Sequence, residues 1–239
     1  MLFPPSFCVA AAPVTFQSSE TQTSLLELYT SEGCSSCPPA EKWLTGLKTS
    51  PALWKDFVPV AFHVDYWDYL GWRDPWSSKT FTERQYTYAG VWRSDSVYTP
   101  GFVLNGKEWR AWSRSQSVPL STKKPGILKA TSVNLKTWDV IFIPTTSMDP
   151  AYEVHTAVLA SGLSSDVKAG ENRGRRLEHD FVVTLLSSVL LKRDGNGVQG
   201  RFELGPENPA GVTALAVWVT RPGTQEPLQA TGGWLASVP

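Results

Sequence analysis

The sequence is 239 residues long, enough for one large domain or two small ones, and it holds 22 basic and 22 acidic residues. A net charge of zero gives no basic field for nucleic acid, so we expect no nucleic-acid partner. No segment reaches the ~18 apolar residues that a membrane-spanning helix needs, and we expect no membrane span. No pattern indicates a bound cofactor, and we expect none.

The first residues resemble the end of a signal peptide. They contain a short apolar stretch and an alanine tract at residues 10–12, although a basic start and a full apolar core are missing. We interpret residues 1–23 as a signal-peptide remnant or an irregular segment, so that processing would remove Cys8.

A CxxC motif follows the first predicted strand. Residues 24–30 form an apolar strand, a short polar turn follows, and then come Cys34 and Cys37. Pro38-Pro39 fits the first turn of a helix, which we predict over residues 38–49. The N-terminal end of a helix stabilises a thiolate, and the two cysteines are close enough to form a disulfide. The motif therefore indicates dithiol–disulfide exchange.

Other functions remain open for these cysteines. A CxxC also occurs in zinc sites, but those need a second ligand pair, and the sequence has only three cysteines. A site of Cys34, Cys37 and His63 would suit copper(I), which prefers soft thiolates. A static disulfide that braces a non-catalytic binding protein is the third alternative.

Glu32 is expected to oppose a thiolate at Cys34 because both carry negative charge.

The next strand brings a second segment to the predicted site. Residues 58–64 are a short apolar run typical of a central parallel strand, whose carboxyl end should lie beside that of the first strand. An aromatic and acidic segment follows. We expect it to form either a rim that selects a partner peptide or small thiol, or a plug over the core. The candidate rim residues are Asp65, Tyr66, Trp67 and Trp72.

A helix and a hairpin are predicted next. Asp74 is expected to cap a helix that extends through residues 77–88, in which Glu83 and Arg84 form a solvated face. Thr99-Pro100 then precedes an apolar strand, and Asn105-Gly106 is a two-residue hairpin turn.

The C-terminal half is predicted to be rich in strands. Residues 116–126 resemble a linker because they are rich in Ser, Pro and Lys. Strand-like segments then recur between turn signals, which favours an antiparallel sandwich or accessory sheet. These segments are Ser132–Ile143, Tyr152–Ala160, Phe181–Leu191, Gln199–Leu204, Val212–Thr220 and Leu228–Trp234. We interpret the charged stretch at residues 170–180 as a solvated connection rather than as a loop that docks on the cysteines.

Five long motifs resemble one protein family. The motifs are ELYTSEGCSSCPPAEKWL, HVDYWDYLGWRDPWSS, FTERQYTYA, YTPGFVLNG and GENRGRRLEHDFVV. Together they resemble the DUF1223 proteins, bacterial and mostly exported proteins of poorly defined function, over about residues 24–235. The resemblance implies an α/β fold, with a thioredoxin-like domain at residues 24–115 that carries an inserted helical segment. It further implies an antiparallel β-rich, sandwich-like accessory domain at residues 127–239.

The same resemblance implies roles for individual residues. In thioredoxin-like proteins a cis proline faces the CxxC, and the residue before it offers backbone groups to the bound peptide; Pro100 and Thr99 match these positions. Such proteins also carry a buried acid in the strand before the CxxC, where this sequence has Leu28. Glu27, one residue earlier, is therefore an auxiliary base only, because a shift of one residue in a strand reverses the face.

We accordingly predict a thiol–disulfide exchange protein with Cys34, Cys37, Thr99 and Pro100 at its site. Its partner would be a specific exported protein or a small thiol, and the resemblance implies a periplasmic or secreted location.

Overall fold

The structure, a computed structural model, describes residues 12–146, 149, 151–204 and 212–235. This part of the chain contains two α-helices, α1 (Pro38–Gly46) and α2 (Lys79–Trp92). Its strands are β1 (Val14–Gln17), β2 (Ser24–Thr30), β3 (Phe57–His63), β4 (Gly101–Leu104), β5 (Lys107–Glu108), β6 (Gly126–Ser132), β7 (Thr137–Pro144), β8 (Tyr152–Ser161), β9 (Leu163–Asp166), β10 (Arg176–His179), β11 (Val182–Asp194), β12 (Gly197–Glu203), β13 (Val212–Thr220) and β14 (Gln229–Trp234).

Twelve of these strands form one mixed sheet. Its main path runs β1-β6-β7-β12-β11-β3-β2-β4-β5, while β8 pairs with both β11 and β13, and β14 pairs with β13. β2 and β3 are parallel over their whole length, and β11 joins β3 in parallel where Val182 faces Ala61. The neighbouring pairs around them are antiparallel. β9 and β10 form a separate two-stranded sheet.

The predicted α/β fold class, a thioredoxin-like domain with a separate sandwich-like region, is wrong. The described chain is mostly β, and strands from its first and last thirds belong to one continuous sheet. The physical reason is that the edge of β3 offers unpaired backbone N–H and C=O groups, which β11 takes up. The domain limits, residues 24–115 and 127–239, stay a prediction.

The main core lies around β2 and β3. Both strands are buried along their whole length, so the apolar run of each packs on both faces of the sheet. Phe62 of β3 shares this core with Phe181 and with Trp218 of β13, all fully buried. Residues far apart in sequence therefore exclude water from the strands that carry the CxxC.

Several local predictions are confirmed. β2 spans residues 24–30 as expected, and β3 lies parallel to it. α1 and the 3₁₀ turn Leu47–Thr49 cover the helix predicted for residues 38–49. The turn between β4 and β5 has φ of 48° at Asn105 and 78° at Gly106, the left-handed values of a two-residue hairpin.

Other local predictions are wrong. α2 begins later than expected, because Ser78 is its N-cap and accepts a hydrogen bond from the backbone N–H of Thr80. Val14–Gln17 form β1, which pairs with β6, whereas the sequence predicts a signal-peptide remnant or an irregular segment there. The signal-peptide interpretation otherwise falls on residues 1–11, including Cys8, which lie outside the described residues.

A buried ion pair joins α2 to β2. Arg84 Nε donates to Glu27 Oε2 at 2.8 Å, and both side chains are buried, so the solvated face predicted at Arg84 is wrong. The hydroxyls of Tyr29 and Tyr88 also donate to Glu27, at 3.0 and 2.5 Å. Burial alone would lower the pKa of Arg84, but the Glu27 charge raises it. The pair thus fixes the position of the helix on the sheet.

Arg84→Met is expected to lower the free energy of unfolding by about 3–5 kcal/mol, because it leaves the Glu27 carboxylate buried without its cation. Urea denaturation measures this change. Lys79→Met is the matched control, since the Lys79–Glu83 pair on the same helix is exposed, and it should leave stability nearly unchanged. Equal losses in the two variants would contradict the assignment.

Candidate functional site

Cys34 and Cys37 form a disulfide between β2 and α1, with their Cα atoms 5.5 Å apart. Cys37 is the N-cap of α1, and Pro38 occupies the first helical turn, where its missing N–H leaves no hydrogen bond unmade. Both cysteine side chains are fully buried, whereas Ser35 and Ser36 between them are exposed. The two serines therefore form the outer surface of the motif.

The segment that leads into β4 lies against this disulfide. The Thr99–Pro100 peptide bond is cis, as predicted. Cys34 Sγ lies 3.7 Å from the Thr99 carbonyl oxygen and 3.3 Å from Ser36 Oγ. The structure thus brings Cys37 and Thr99, two of the other three predicted catalytic residues, into contact with the Cys34 sulfur, and Pro100 follows Thr99 in the chain.

Two of the four predicted rim residues reach the CxxC turn. Trp67 Nε1 donates to Thr99 Oγ1 at 2.8 Å, and the Trp67 side chain covers Gly33 so closely that a Cβ there would lie 2.7 Å from Trp67 Cβ. Because Trp67 lies so close, the turn has room only for glycine at position 33. Trp72 Nε1 donates to Glu32 Oε2 at 2.6 Å, so this side chain also contacts the turn.

The other two rim residues bind α2 instead. Asp65 Oδ1 accepts a hydrogen bond from Thr82 Oγ1 at 2.6 Å, and the Tyr66 hydroxyl donates to Gln85 Oε1 at 3.2 Å. Glu27, the predicted auxiliary base, is held by Arg84 and the two tyrosines, and no cysteine is among its hydrogen-bond partners within the described residues.

A buried histidine joins two carboxylates that flank the disulfide in sequence. His179 Nε2 donates to Glu32 Oε1 at 2.9 Å, and Nδ1 donates to Glu41 Oε2. Thr30 Oγ1 donates to the other oxygen of Glu41 at 2.5 Å. Burial alone would lower the pKa of His179, but its hydrogen bonds to the two carboxylates raise it to about 10. Glu32 is therefore paired with the His179 cation, which reduces the effect of its charge on Cys34, and its expected opposition to a Cys34 thiolate stays a prediction.

A second buried pair lies beside the first. His63 Nδ1 donates to Asp74 Oδ2 at 2.7 Å, and the same oxygen accepts the backbone N–H of Glu32 at 2.8 Å. Burial would raise the pKa of Asp74, but His63 and these N–H donors lower it. Asp74 thus holds the CxxC turn rather than capping α2. The alternative metal site of Cys34, Cys37 and His63 lacks free thiolates while the sulfurs are joined.

The charged stretch at residues 170–180 docks on the CxxC turn, so its interpretation as a solvated connection is wrong. Asn172 is fully buried, and its Nδ2 donates to the carbonyl oxygens of Glu32 and Cys34 at 2.8 and 2.9 Å. Glu171 Oε2 accepts the backbone N–H of Ser35 at 2.9 Å. Two side chains from distant sequence therefore clamp both sides of the first cysteine.

Sequence reasoning missed three buried polar groups of this region. His179, Glu41 and Asn172 were not predicted as site residues, although His179 and Asn172 lie in one of the motifs that carried the family resemblance. The motif was the available signal, since it is one of the stretches that carry the family resemblance. Periodicity could not reveal their burial.

Cavities border this half of the sheet on the side of α2. One of about 250 Å³ is lined by Tyr98 and Gly101, on either side of Thr99-Pro100, and by Trp92, Glu108 and Arg110. A larger one of about 500 Å³ lies between the start of α2 and β11 and contacts neither cysteine. In the described parts of the chain, the helices are too short or too polar to cross a membrane.

The fold and the site define a mostly β protein with a buried CxxC disulfide, clamped by a loop from its C-terminal half. The family described as "Protein of unknown function (DUF1223)" matches residues 25–220. The chain belongs to this family.

Two solved structures share the fold. The crystal structure of protein AGR_C_4864 from Agrobacterium tumefaciens is 24% identical, with a TM-score of 0.61, over 91% of this chain and 95% of that chain. HBP35 of Porphyromonas gingivalis is 12% identical, with a TM-score of 0.62, over 92% of this chain and 77% of that chain. At these identities the likeness shows the fold alone. A search of curated proteins found no match.

Asn172→Ala is expected to lower the free energy of unfolding by about 1–3 kcal/mol, because two carbonyl oxygens of the CxxC turn lose a buried donor. It should also speed reduction of the disulfide by dithiothreitol, since the turn opens more often. Arg173→Ala, at the exposed neighbouring position, is the control for both measurements. Unchanged stability and reduction rate in Asn172→Ala would refute the clamp.

Proposed function

We propose that this protein carries out thiol–disulfide exchange through Cys34 and Cys37. The observation that carries the proposal is the placement of Cys34 Sγ 3.7 Å from the Thr99 carbonyl oxygen, beside a CxxC at the start of α1. An extended partner chain could pair with the backbone of Thr99 and thereby align its own sulfur with Cys34. The dipole of α1 favours a thiolate at its N-terminal end.

The exchange proceeds in two displacements that conserve electrons. In the dithiol form, the Cys34 thiolate attacks one sulfur of the partner disulfide, forming a mixed disulfide and releasing the other sulfur as a thiolate. The Cys37 thiolate then attacks Cys34 Sγ, which frees the second partner sulfur and restores the Cys34–Cys37 bond. The partner gains two electrons from this protein, and the reverse sequence oxidises a partner dithiol.

The burial of both sulfurs predicts a narrow partner range. An attacking or leaving sulfur reaches Cys34 only when Ser36 and the turn around it move aside, because Cys34 itself has no exposed surface. This requirement favours partners whose contacts with Trp67 and Thr99 offset the free energy needed to open the turn. The partner is a specific exported protein or a small thiol.

The proposed location is the periplasm or the outside of the cell. Disulfides persist in oxidising compartments and are rare in the cytosol. The two cysteines within the described residues are paired with each other, which suits such a compartment.

A second candidate is a non-catalytic binding protein in which the disulfide only braces the turn. Complete burial of both sulfurs and the clamp by Asn172 favour it. In that case the Cys34–Cys37 bond would resist reduction.

The reduction potential separates the two candidates. Purified protein is equilibrated against glutathione buffers, and its thiols are trapped and counted by mass spectrometry. A value between about −120 and −270 mV, the span of exchange proteins, supports the proposed exchange. A value below about −300 mV marks a structural disulfide and favours the binding protein.

Glu171→Gln is expected to increase the alkylation rate of Cys34 in the reduced protein, roughly two- to five-fold at pH 7 and low salt. The Glu171 carboxylate accepts a hydrogen bond from the backbone N–H of Ser35, the residue after Cys34. Its negative charge therefore disfavours the Cys34 thiolate. The increase should shrink as salt is added, because Glu171 is exposed. Glu178→Gln, at an exposed position of β10, is the control and should leave the rate unchanged. A slower reaction in Glu171→Gln would show that the carboxylate organises the turn rather than opposing the thiolate.

A further inference from the structure

Three buried side chains bring metal-ligating atoms together beneath the CxxC turn. They are Glu41 on α1, His63 at the end of β3 and His179 at the end of β10. Each offers one ligand atom, and these atoms all lie within 4.8 Å of one another. Ligands of one zinc ion lie about 2.0–2.2 Å from it, so shifts on the order of 1 Å would close this set onto a single ion.

Each histidine ring donates a hydrogen bond to a carboxylate, as the histidines of metal sites commonly do. Asp74 accepts the proton of His63 Nδ1, and Glu32 accepts that of His179 Nε2. In metal sites a carboxylate on the remote ring nitrogen fixes the tautomer and raises the basicity of the ligating nitrogen. This arrangement occurs twice here, and it leaves His63 Nε2 and His179 Nδ1 as the inward-directed ligand atoms.

The second, independent observation concerns His63 Nε2. This atom has no hydrogen-bond partner among the residues that the structure describes, and the side chain is only 1% exposed. A buried nitrogen without a partner is costly, and nearly all such groups in native proteins are satisfied. A cation would supply the missing partner. His179 Nδ1 faces Glu41, so the proton they share occupies the place of a cation between two ligands.

The charge of the pocket also favours a cation. Three buried carboxylates, Glu32, Glu41 and Asp74, lie around His63 and the His179 imidazolium, so their negative charges outnumber the single charge of His179. The Arg84 guanidinium, a buried cation in this half of the sheet, is bound to Glu27 instead. A divalent ion would balance the excess of negative charge.

We propose that Glu41, His63 and His179 form a binding site for a divalent transition-metal cation of the zinc type. Two histidines and one carboxylate are a ligand set typical of zinc and of related first-row ions, and they leave a further coordination position open. On binding, the proton shared by His179 and Glu41 leaves to solvent. The site uses no cysteine and does not depend on the proposed exchange function.

The test uses the full chain in its disulfide form, so that thiolates cannot bind the ion. Protein freed of metal by chelation receives Zn²⁺ or Co²⁺ either when folded or during refolding from urea, because the site is closed. Zinc content after gel filtration gives the stoichiometry, and visible absorption of Co²⁺ reports its ligand geometry. One equivalent of bound ion by either route is the expected result.

Variants assign the ligands. Glu41→Gln keeps an acceptor for Thr30, and His63→Gln keeps a donor for Asp74, so both retain the local hydrogen bonds. Each should weaken binding by more than about 100-fold, and Asp74→Asn by about 10- to 100-fold. His155→Gln is the matched control, because His155 bonds to Thr220 and stacks on Trp218, away from this cluster. Absence of bound ion by both routes overturns the proposal. So does binding that both ligand variants retain.

Discussion

The structure of this protein depends on the need to pair buried charge around the CxxC turn. Glu32 and Glu41 flank the two cysteines in sequence, and both carboxylates are buried. A buried carboxylate without a cation or donors is strongly destabilising, so the turn cannot be stable alone. Its partner is His179, which lies 147 residues after Glu32 and 138 residues after Glu41. The first and last parts of the chain are therefore held together at this point.

The continuous sheet follows from the same constraint. β10 carries His179, and β11 begins three residues later, beside β3. The histidine that pairs with the two carboxylates therefore also brings β11 to the edge of β3. Phe181, between them, is fully buried in the core that surrounds β2. Two solved structures with low sequence identity share this fold over most of the chain, as expected when packing and pairing rather than particular surface residues define it.

The site combines a reactive group with rigid surroundings. Asn172 and Glu171 hold the backbone on both sides of Cys34, and Trp67 covers Gly33. In the proposed exchange such a site would react only through local opening, at a frequency set by its hydrogen bonds rather than by the sulfur chemistry. Glu41 of the proposed cation site lies on α1, whose N-cap is Cys37, and His179 contacts Glu32 in the CxxC turn. An ion bound there would therefore make the CxxC turn more rigid. Selectivity in this protein would then be decided by the mobility of one turn.

The sequence by itself determined the local elements and the cysteine pair. Apolar runs identified β2 and β3, Pro38 marked the start of α1, and Asn105-Gly106 gave the hairpin turn, because each depends on residues close in sequence. Only the tertiary structure decided the fold class and the buried partners. Strand periodicity does not say which edge a strand joins, so β11 was not expected beside β3. For the same reason the sequence predicts surface or capping positions for Arg84, Asp74 and His179, since the groups that bury and pair them lie in distant segments.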